Sequence, residues 1–142
     1  MEDIIFKRRS IRLFKKQEIP EEILRKILLA GMWAPSPKNR QPWKMIAALG
    51  KSKEIMLSLM KEGIDRSERG EGIITGSKEY IANARYTMKC MAVAPVTVFI
   101  THPEGKSLRE DWSAAEKIHE LSDVQAIGAA AENMALMAAE MG

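Results

Sequence analysis

The stretch APSPKNRQPW, residues 34–43, separates a helical pattern from a strand pattern and so decides how the chain is organised. Pro35 and Pro37 disfavour helical geometry in the residues before them, so the predicted helix over residues 20–33 should end there. The apolar run after the stretch predicts a strand over residues 44–49. Residues 34–43 therefore form a loop whose prolines restrict its shape.

Hydrophobic periodicity predicts the other elements on both sides of this loop. The predicted helices cover residues 2–7, 51–61, 77–90 and 122–141, and a second strand covers residues 94–100. The Gly-rich, charged stretch 62–76 is predicted to be mobile, and the polar residues 104–121 fit no element clearly. Few strands among several helices indicate an α+β fold, or a mixed sheet layered by helices.

The last predicted helix begins with a capping box of Ser122 and Gln125 and is apolar on nearly all sides. Such a helix is normally buried. It lies either at the centre of the chain's own core or with one face covered by a second subunit, and the residues alone favour neither. One apolar stripe consists of Val124, Ile127, Ala131, Met134, Ala138 and Met141. The opposite face carries Ala126, Ala130, Leu136 and Met137.

Composition fits a single domain over residues 1–142, with 46% hydrophobic and 29% charged residues. The longest uncharged apolar run, residues 90–101, contains a proline and is too short to cross a bilayer. No signal peptide is predicted. The lone Cys90 can form no internal disulfide, so we expect a reducing, cytoplasmic location.

Positive charge is concentrated near the start of the chain, and without that cluster the rest of the chain is slightly acidic. Such a segment is either a solvated face or the binding site of an anionic partner, with nucleic acid, acidic lipid and a phosphorylated cofactor as candidates. The cluster consists of Lys7, Arg8, Arg9, Arg12, Lys15 and Lys16.

The sequence lacks the usual signs of self-contained catalysis. It has no Walker loop, no dinucleotide-binding glycine motif and no metal-ligand cluster. His102 and His119 are more typical of surface residues, and Cys90 is more typical of a small buried residue than of a nucleophile. We therefore predict no catalytic side chain and no metal, and an enzyme of this kind would depend on a bound cofactor.

Two segments combine the groups that such a cofactor needs. Arg8, Ser10 and Arg12 place guanidiniums and a hydroxyl where they can neutralise a phosphate dianion. Ser36 and Asn39, on the proline-restricted loop, can donate and accept hydrogen bonds at the edge of a flat heterocycle. A rigid loop loses little entropy on binding.

At these residues the chain resembles the nitroreductase family of FMN-dependent flavoproteins. The family pattern Arg-x-Ser-x-Arg/Lys-x-Phe is present at residues 8–14. The pattern Ser-Pro-Ser-x-x-Asn-x-Gln-Pro-Trp is present at residues 34–43, with Ala34 in its first position. The resemblance extends over essentially the whole chain and is weak between residues 51 and 90.

The resemblance implies an α+β, nitroreductase-like fold with a central mixed sheet flanked by helices and a long buried interface helix. It implies a homodimer with FMN at the interface, and no nucleic acid or membrane partner. The implied reaction is ping-pong: NADH or NADPH reduces the flavin and leaves, and a small acceptor such as a nitroaromatic or quinone then takes the electrons.

By the same resemblance, one subunit would hold the phosphate and the ribityl or pyrimidine side of the flavin through Arg8, Arg9, Ser10 and Arg12. The loop of the other subunit would approach that flavin through Pro35, Ser36, Pro37 and Asn39. Gln41, Pro42 and Trp43 would support the loop, and no residue is assigned a catalytic role.

Family members usually continue beyond the interface helix with a strand, a flavin-contacting loop and a basic residue, whereas this sequence ends at Gly142. One alternative is therefore a truncated homologue that binds flavin but is inactive. A related flavin chemistry, such as reductive dehalogenation or flavin fragmentation, is another. A basic nucleic-acid-binding domain is less consistent with the residues, because the cluster lacks interleaved stacking aromatics and a reader motif.

Overall fold

The computed structural model describes residues 2–71, 80–107 and 110–142. Its two strands pair in a small antiparallel sheet, in which the Thr101 hydroxyl donates to the Lys44 carbonyl at 3.2 Å. The α+β prediction is confirmed. The elements are helices α1 (Glu2–Lys7), α2 (Glu21–Met32), α3 (Gly50–Glu68), α4 (Ile81–Val93) and α5 (Ala114–Met141), strands β1 (Lys44–Ala48) and β2 (Thr97–Thr101), and a 3₁₀ turn (Pro37–Asn39).

The chain divides into two compact units, of which the first contains Met1–Ser10, Pro20–Ile46 and Phe99–Gly142. Its core forms where α2 packs against α5. Gly31 of α2 is buried so tightly that a Cβ there would lie 2.6 Å from Met45 Cε and 2.7 Å from Met134 Cγ. The absence of a side chain at this position therefore sets the distance between the two helices.

The second unit contains Ile11–Ile19 and Ala47–Val98, and α3 packs against α4 within it. Arg85 of α4 donates to Glu68 at 2.7 Å and to Asp65 at 2.9 Å, both on α3. Hydrogen bonds from Lys61 and from Arg85 hold the pKa of Asp65 below its ordinary value, and Arg85 likewise lowers the pKa of Glu68. These carboxylates stay ionised and link the two helices.

The predicted limits of α1 and α2 are confirmed, whereas those of α3 are wrong. Residues 62–68, predicted to be mobile, continue α3, because Lys61 pairs with Asp65 one turn on and Arg85 binds the same turn. Residues 72–76 of that stretch lie outside the described residues, as does the predicted start of α4 at residue 77. Strand β1 begins at the predicted residue and ends one residue early, whereas β2 begins three residues and ends one residue later than predicted.

The last helix starts eight residues earlier than predicted. Ser113 is its N-cap: the Glu116 amide donates to the Ser113 hydroxyl at 3.3 Å, and the Ser113 amide donates to the Glu116 carboxylate at 2.8 Å. Ser122, the predicted cap, lies inside α5 and donates to the Ile118 carbonyl. The capping-box patterns at Ser113 and at Ser122 are alternative starts of this helix, and the one with the glutamate, which also pairs with Lys106, begins it.

Only one face of α5 is buried by the described part of this chain. Ala126, Ala130 and Met134 are buried, together with Asp123. Val124, from the stripe identified in the sequence, is 53% exposed. A single chain therefore leaves apolar surface on α5 uncovered.

The cap of α5 predicts a dependence of stability on pH. Hydrogen bonds from Lys106 and then from Ser113 lower the pKa of Glu116 from 4.5 to about 2. A carboxyl whose pKa is depressed by folding stabilises the native state above its ordinary pKa, and that stabilisation disappears as pH falls from about 4.5 towards 2. Urea unfolding of the Glu116→Gln variant should show a smaller loss of stability across this range than the wild type. Equal pH profiles would contradict the assignment.

Candidate functional site

Arg8 follows the end of α1 and is fixed against α5. Its Nε lies 3.0 Å from Glu132 Oε1, and its side chain is one-third exposed. A guanidinium that already binds a carboxylate in this way presents the donors that a phosphate requires. Arg8 is therefore paired with a carboxylate of α5.

The other three residues of the basic motif differ in their surroundings. Arg9 Nη1 donates to the carbonyls of Phe6 and Arg8, at 2.5 and 2.8 Å, and so caps the end of α1. Ser10 is exposed. Arg12, which belongs to the second unit, is exposed and donates to its neighbour's carbonyl at 3.2 Å.

The proline-restricted loop is held by its own hydrogen bonds. The Gln41 amide donates to Ser36 Oγ at 2.9 Å, and the Gln41 side chain donates to Asn39 Oδ1 at 3.4 Å. Lys38, Asn39 and Gln41 have φ values of 53°, 53° and 49°, in the left-handed region that side chains rarely adopt. Such a conformation persists only where the surroundings enforce it.

An ion pair that we did not predict fastens this loop to α5. Arg40 Nη2 lies 2.5 Å from Asp123 Oδ1, and the Asp123 side chain is 12% exposed. The sequence signal for it is an acid in an otherwise apolar buried row that continues with Ala126, Ala130 and Met134. Buried carboxylates are normally paired, so an acid at this position indicates a cationic partner from elsewhere in the chain.

His102 lies beside the same carboxylate, and its predicted surface position is wrong. Its side chain is 13% exposed, with Nε2 3.3 Å from Glu120 Oε2 and 3.6 Å from Asp123 Oδ2. Neither ring nitrogen forms a hydrogen bond with a described residue. The residue directly follows β2, and α5 covers it, which a polar sequence context does not reveal. His119 is exposed, as predicted, and Cys90 is half-buried.

The two motifs are anchored to one helix but on opposite sides of it. Glu132, the partner of Arg8, and Asp123, the partner of Arg40, are nine residues apart. Nine residues of α-helix span about 13 Å and two and a half turns. The two carboxylates therefore leave α5 in opposite directions.

No group of His, Cys, Asp and Glu side chains suited to a metal ion occurs among the residues described. Among the same residues, no helix is long and apolar enough to span a membrane.

Comparison with known proteins matches residues 5–142 to the family model described as the Nitroreductase family. A curated NADH dehydrogenase of Thermus thermophilus is 52% identical over 40 residues, which are 28% of this chain and 20% of that protein. A BluB-like flavoprotein structure from Clostridium difficile 630 is 28% identical with a TM-score of 0.69, and the match covers 99% of this chain and 70% of the other.

A crystal structure of a nitroreductase with bound FMN, from Bacteroides fragilis NCTC 9343, has a TM-score of 0.68 and 23% identity. That match covers 99% of this chain and 65% of the other, so it shows a shared fold. The match to the curated Thermus protein spans a fifth of its length.

Proposed function

The chain belongs to the nitroreductase family, and from that premise we propose that it is an FMN-dependent oxidoreductase that takes electrons from NADH or NADPH. Support comes from the FMN bound in the Bacteroides neighbour and from the NADH named for the Thermus relative. The observation that carries the proposal is the ion pair of Arg8 with Glu132, which places the first guanidinium of the basic motif at a carboxylate of α5.

The donor set fits the phosphate of FMN. Arg8 and Ser10, both in the first unit, supply guanidinium and hydroxyl donors, and a phosphate dianion is a stronger partner for Arg8 than the single charge of Glu132. The Nη1 of Arg9 is engaged by backbone carbonyls, so this residue would contribute chiefly through its charge.

The loop would hold the flavin ring through Ser36 and Asn39, with Pro35 and Pro37 limiting its movement. We propose that it does so in the site of a second subunit. Arg8 and Arg40 pair with carboxylates on opposite sides of α5, which supports this arrangement. Residues held on opposite sides of a helix are more easily part of two different sites than of the same site.

A homodimer also accounts for the apolar surface that a single chain leaves exposed. On α5, Ile118, Leu121 and Val124 are 53% to 64% exposed, and on α2, Leu29 and Met32 are 53% and 52% exposed. Apolar surface of this extent is typical of an interface. Covering it with a second copy would make α5 the interface helix.

When bound, FMN would supply the hydride and electron transfer between NAD(P)H and a small acceptor such as a nitroaromatic or a quinone. The protein would bind the phosphate, orient the ring and shape the space beside it. We assign no side chain of this chain a role as general acid or base.

FMN titration tests the proposal directly. The fluorescence of added FMN should fall on binding. FMN should also raise the unfolding temperature of the protein, because a ligand at 100 times its Kd stabilises a protein by about 2.7 kcal/mol. NAD(P)H should then be oxidised in the presence of a nitroaromatic or quinone. AMP, which has a phosphate but no flavin ring, is the control ligand. Absence of quenching would contradict the proposal, and quenching without oxidation would favour an inactive flavin-binding homologue.

A further inference from the structure

We propose that Asp123 is a positioning residue that, through Arg40, fixes the loop that binds the flavin ring. The inference rests on the proposed function, since it assumes that Ser36 and Asn39 face a flavin. Neither Asp123 nor Arg40 is among the residues predicted to touch the cofactor.

The ion pair is attached within the proline-restricted loop, at Arg40. Arg40 lies between Asn39 and Gln41, the two residues whose side chains close the turn by hydrogen bonding to each other. Both have positive φ, so the backbone on each side of Arg40 is in a conformation that the surroundings must enforce. The Arg40 guanidinium, bound to α5, supplies that constraint at the centre of the turn.

The carboxylate that accepts from Arg40 is largely buried. The Asp123 side chain is 12% exposed, and the residue belongs to the buried row of α5. Its Oδ1 binds Arg40, while its Oδ2 faces the buried His102 ring, 3.6 Å away. We expect this packing to restrict the rotation of the carboxylate and so of the guanidinium that it binds.

The Arg40–Asp123 ion pair is partly buried, with side-chain exposures of 33% and 12%. Such a pair contributes little net stability, because desolvation offsets the attraction between the charges. Its better-attested role is to select one conformation. Here the selected conformation would be that of the loop, so loss of the pair should reduce the recognition of the flavin ring more than it reduces stability.

This role predicts a particular pattern of affinities. FMN and riboflavin share the ring, and only FMN carries the phosphate. Asp123→Asn should weaken both ligands by the same factor, about tenfold, because a loop that is no longer pre-organised must be ordered on binding. Arg40→Met should have the same effect, and the double variant should be no weaker than either single variant, because both changes break one bond. Fluorescence quenching gives the dissociation constants.

Glu116→Gln is the matched control, since it removes another carboxylate and ion pair from α5 and should leave both flavin affinities unchanged.

Equal affinities of the Arg40→Met variant and the wild type for both flavins would overturn the inference while leaving the proposed function intact. So would additive losses in the double variant. If the wild type bound neither flavin, the proposed function would fail and this inference with it. Arg40 is more exposed than Asp123, so its variant keeps the test available if Asp123→Asn does not fold.

Discussion

Replacing Arg8 with alanine should weaken FMN binding by roughly 10- to 100-fold and leave riboflavin binding unchanged. The lost interaction is a charge-assisted hydrogen bond to phosphate, worth about 1.5–3 kcal/mol, and each 1.4 kcal/mol is about tenfold in Kd. Riboflavin has no phosphate, so it reports whether the ring site survives. Fluorescence titration of both flavins measures the two effects.

The control for this variant is Lys7→Ala, which removes the same charge one residue away. Lys7 is exposed and pairs with Asp3 on α1, so its loss should change the affinity for FMN by less than threefold or so. An Arg8→Ala variant with wild-type FMN affinity would remove Arg8 from the phosphate site. Equal losses for FMN and riboflavin would show that Arg8 acts on the fold rather than on the phosphate.

Replacing Gly31 with leucine should lower the free energy of unfolding by about 3 kcal/mol, the upper part of the range for overpacking a core. Even a Cβ at this position would lie 2.6 Å from Met45 Cε and 2.7 Å from Met134 Cγ. The end of Met45 can rotate away, but Met134 Cγ is held close to the α5 backbone. Urea unfolding measures the loss, and Gly63→Leu is the control because that exposed glycine has open space around it.

A second substitution identifies the cause. In the Gly31→Leu background, Met134→Ala should restore part of the lost stability, because it removes the atoms that the new side chain meets. In the wild type the same substitution should cost about 2–5 kcal/mol through the cavity it leaves. Additive losses in the double variant would contradict the close approach of α2 and α5 at this point.

The sequence predicted the elements whose signals are local. Pro20 and the two acids after it mark the start of α2, and Pro35 marks its end. The start of α5 was missed because two capping boxes compete in this sequence. The choice between them depends on Lys106, which lies outside the helix and pairs with Glu116. Interactions between distant residues also extend α3, through Arg85.

For the candidate site, local patterns identified the two motifs but not how they are held. Arg40 and Asp123 are 83 residues apart, and Arg8 is still farther from Glu132, so no spacing rule links either pair. The burial of His102 depends on α5 covering the end of β2, which is also a long-range property. The usable signal is an acid within an apolar helix stripe. Because a buried carboxylate normally pairs with a cation, such an acid indicates a cationic partner from elsewhere in the chain.

In the proposed arrangement, one flavin is held by the basic motif of one subunit and by the loop of another. This arrangement is tested by mixing Arg8→Ala protein with Asn39→Ala protein after each has been shown to bind FMN weakly. Random subunit exchange would give each mixed dimer one intact site, so about a quarter of all sites should regain wild-type affinity. If the mixture instead bound FMN no better than the two variants do separately, the site would lie within one chain and the account would be wrong.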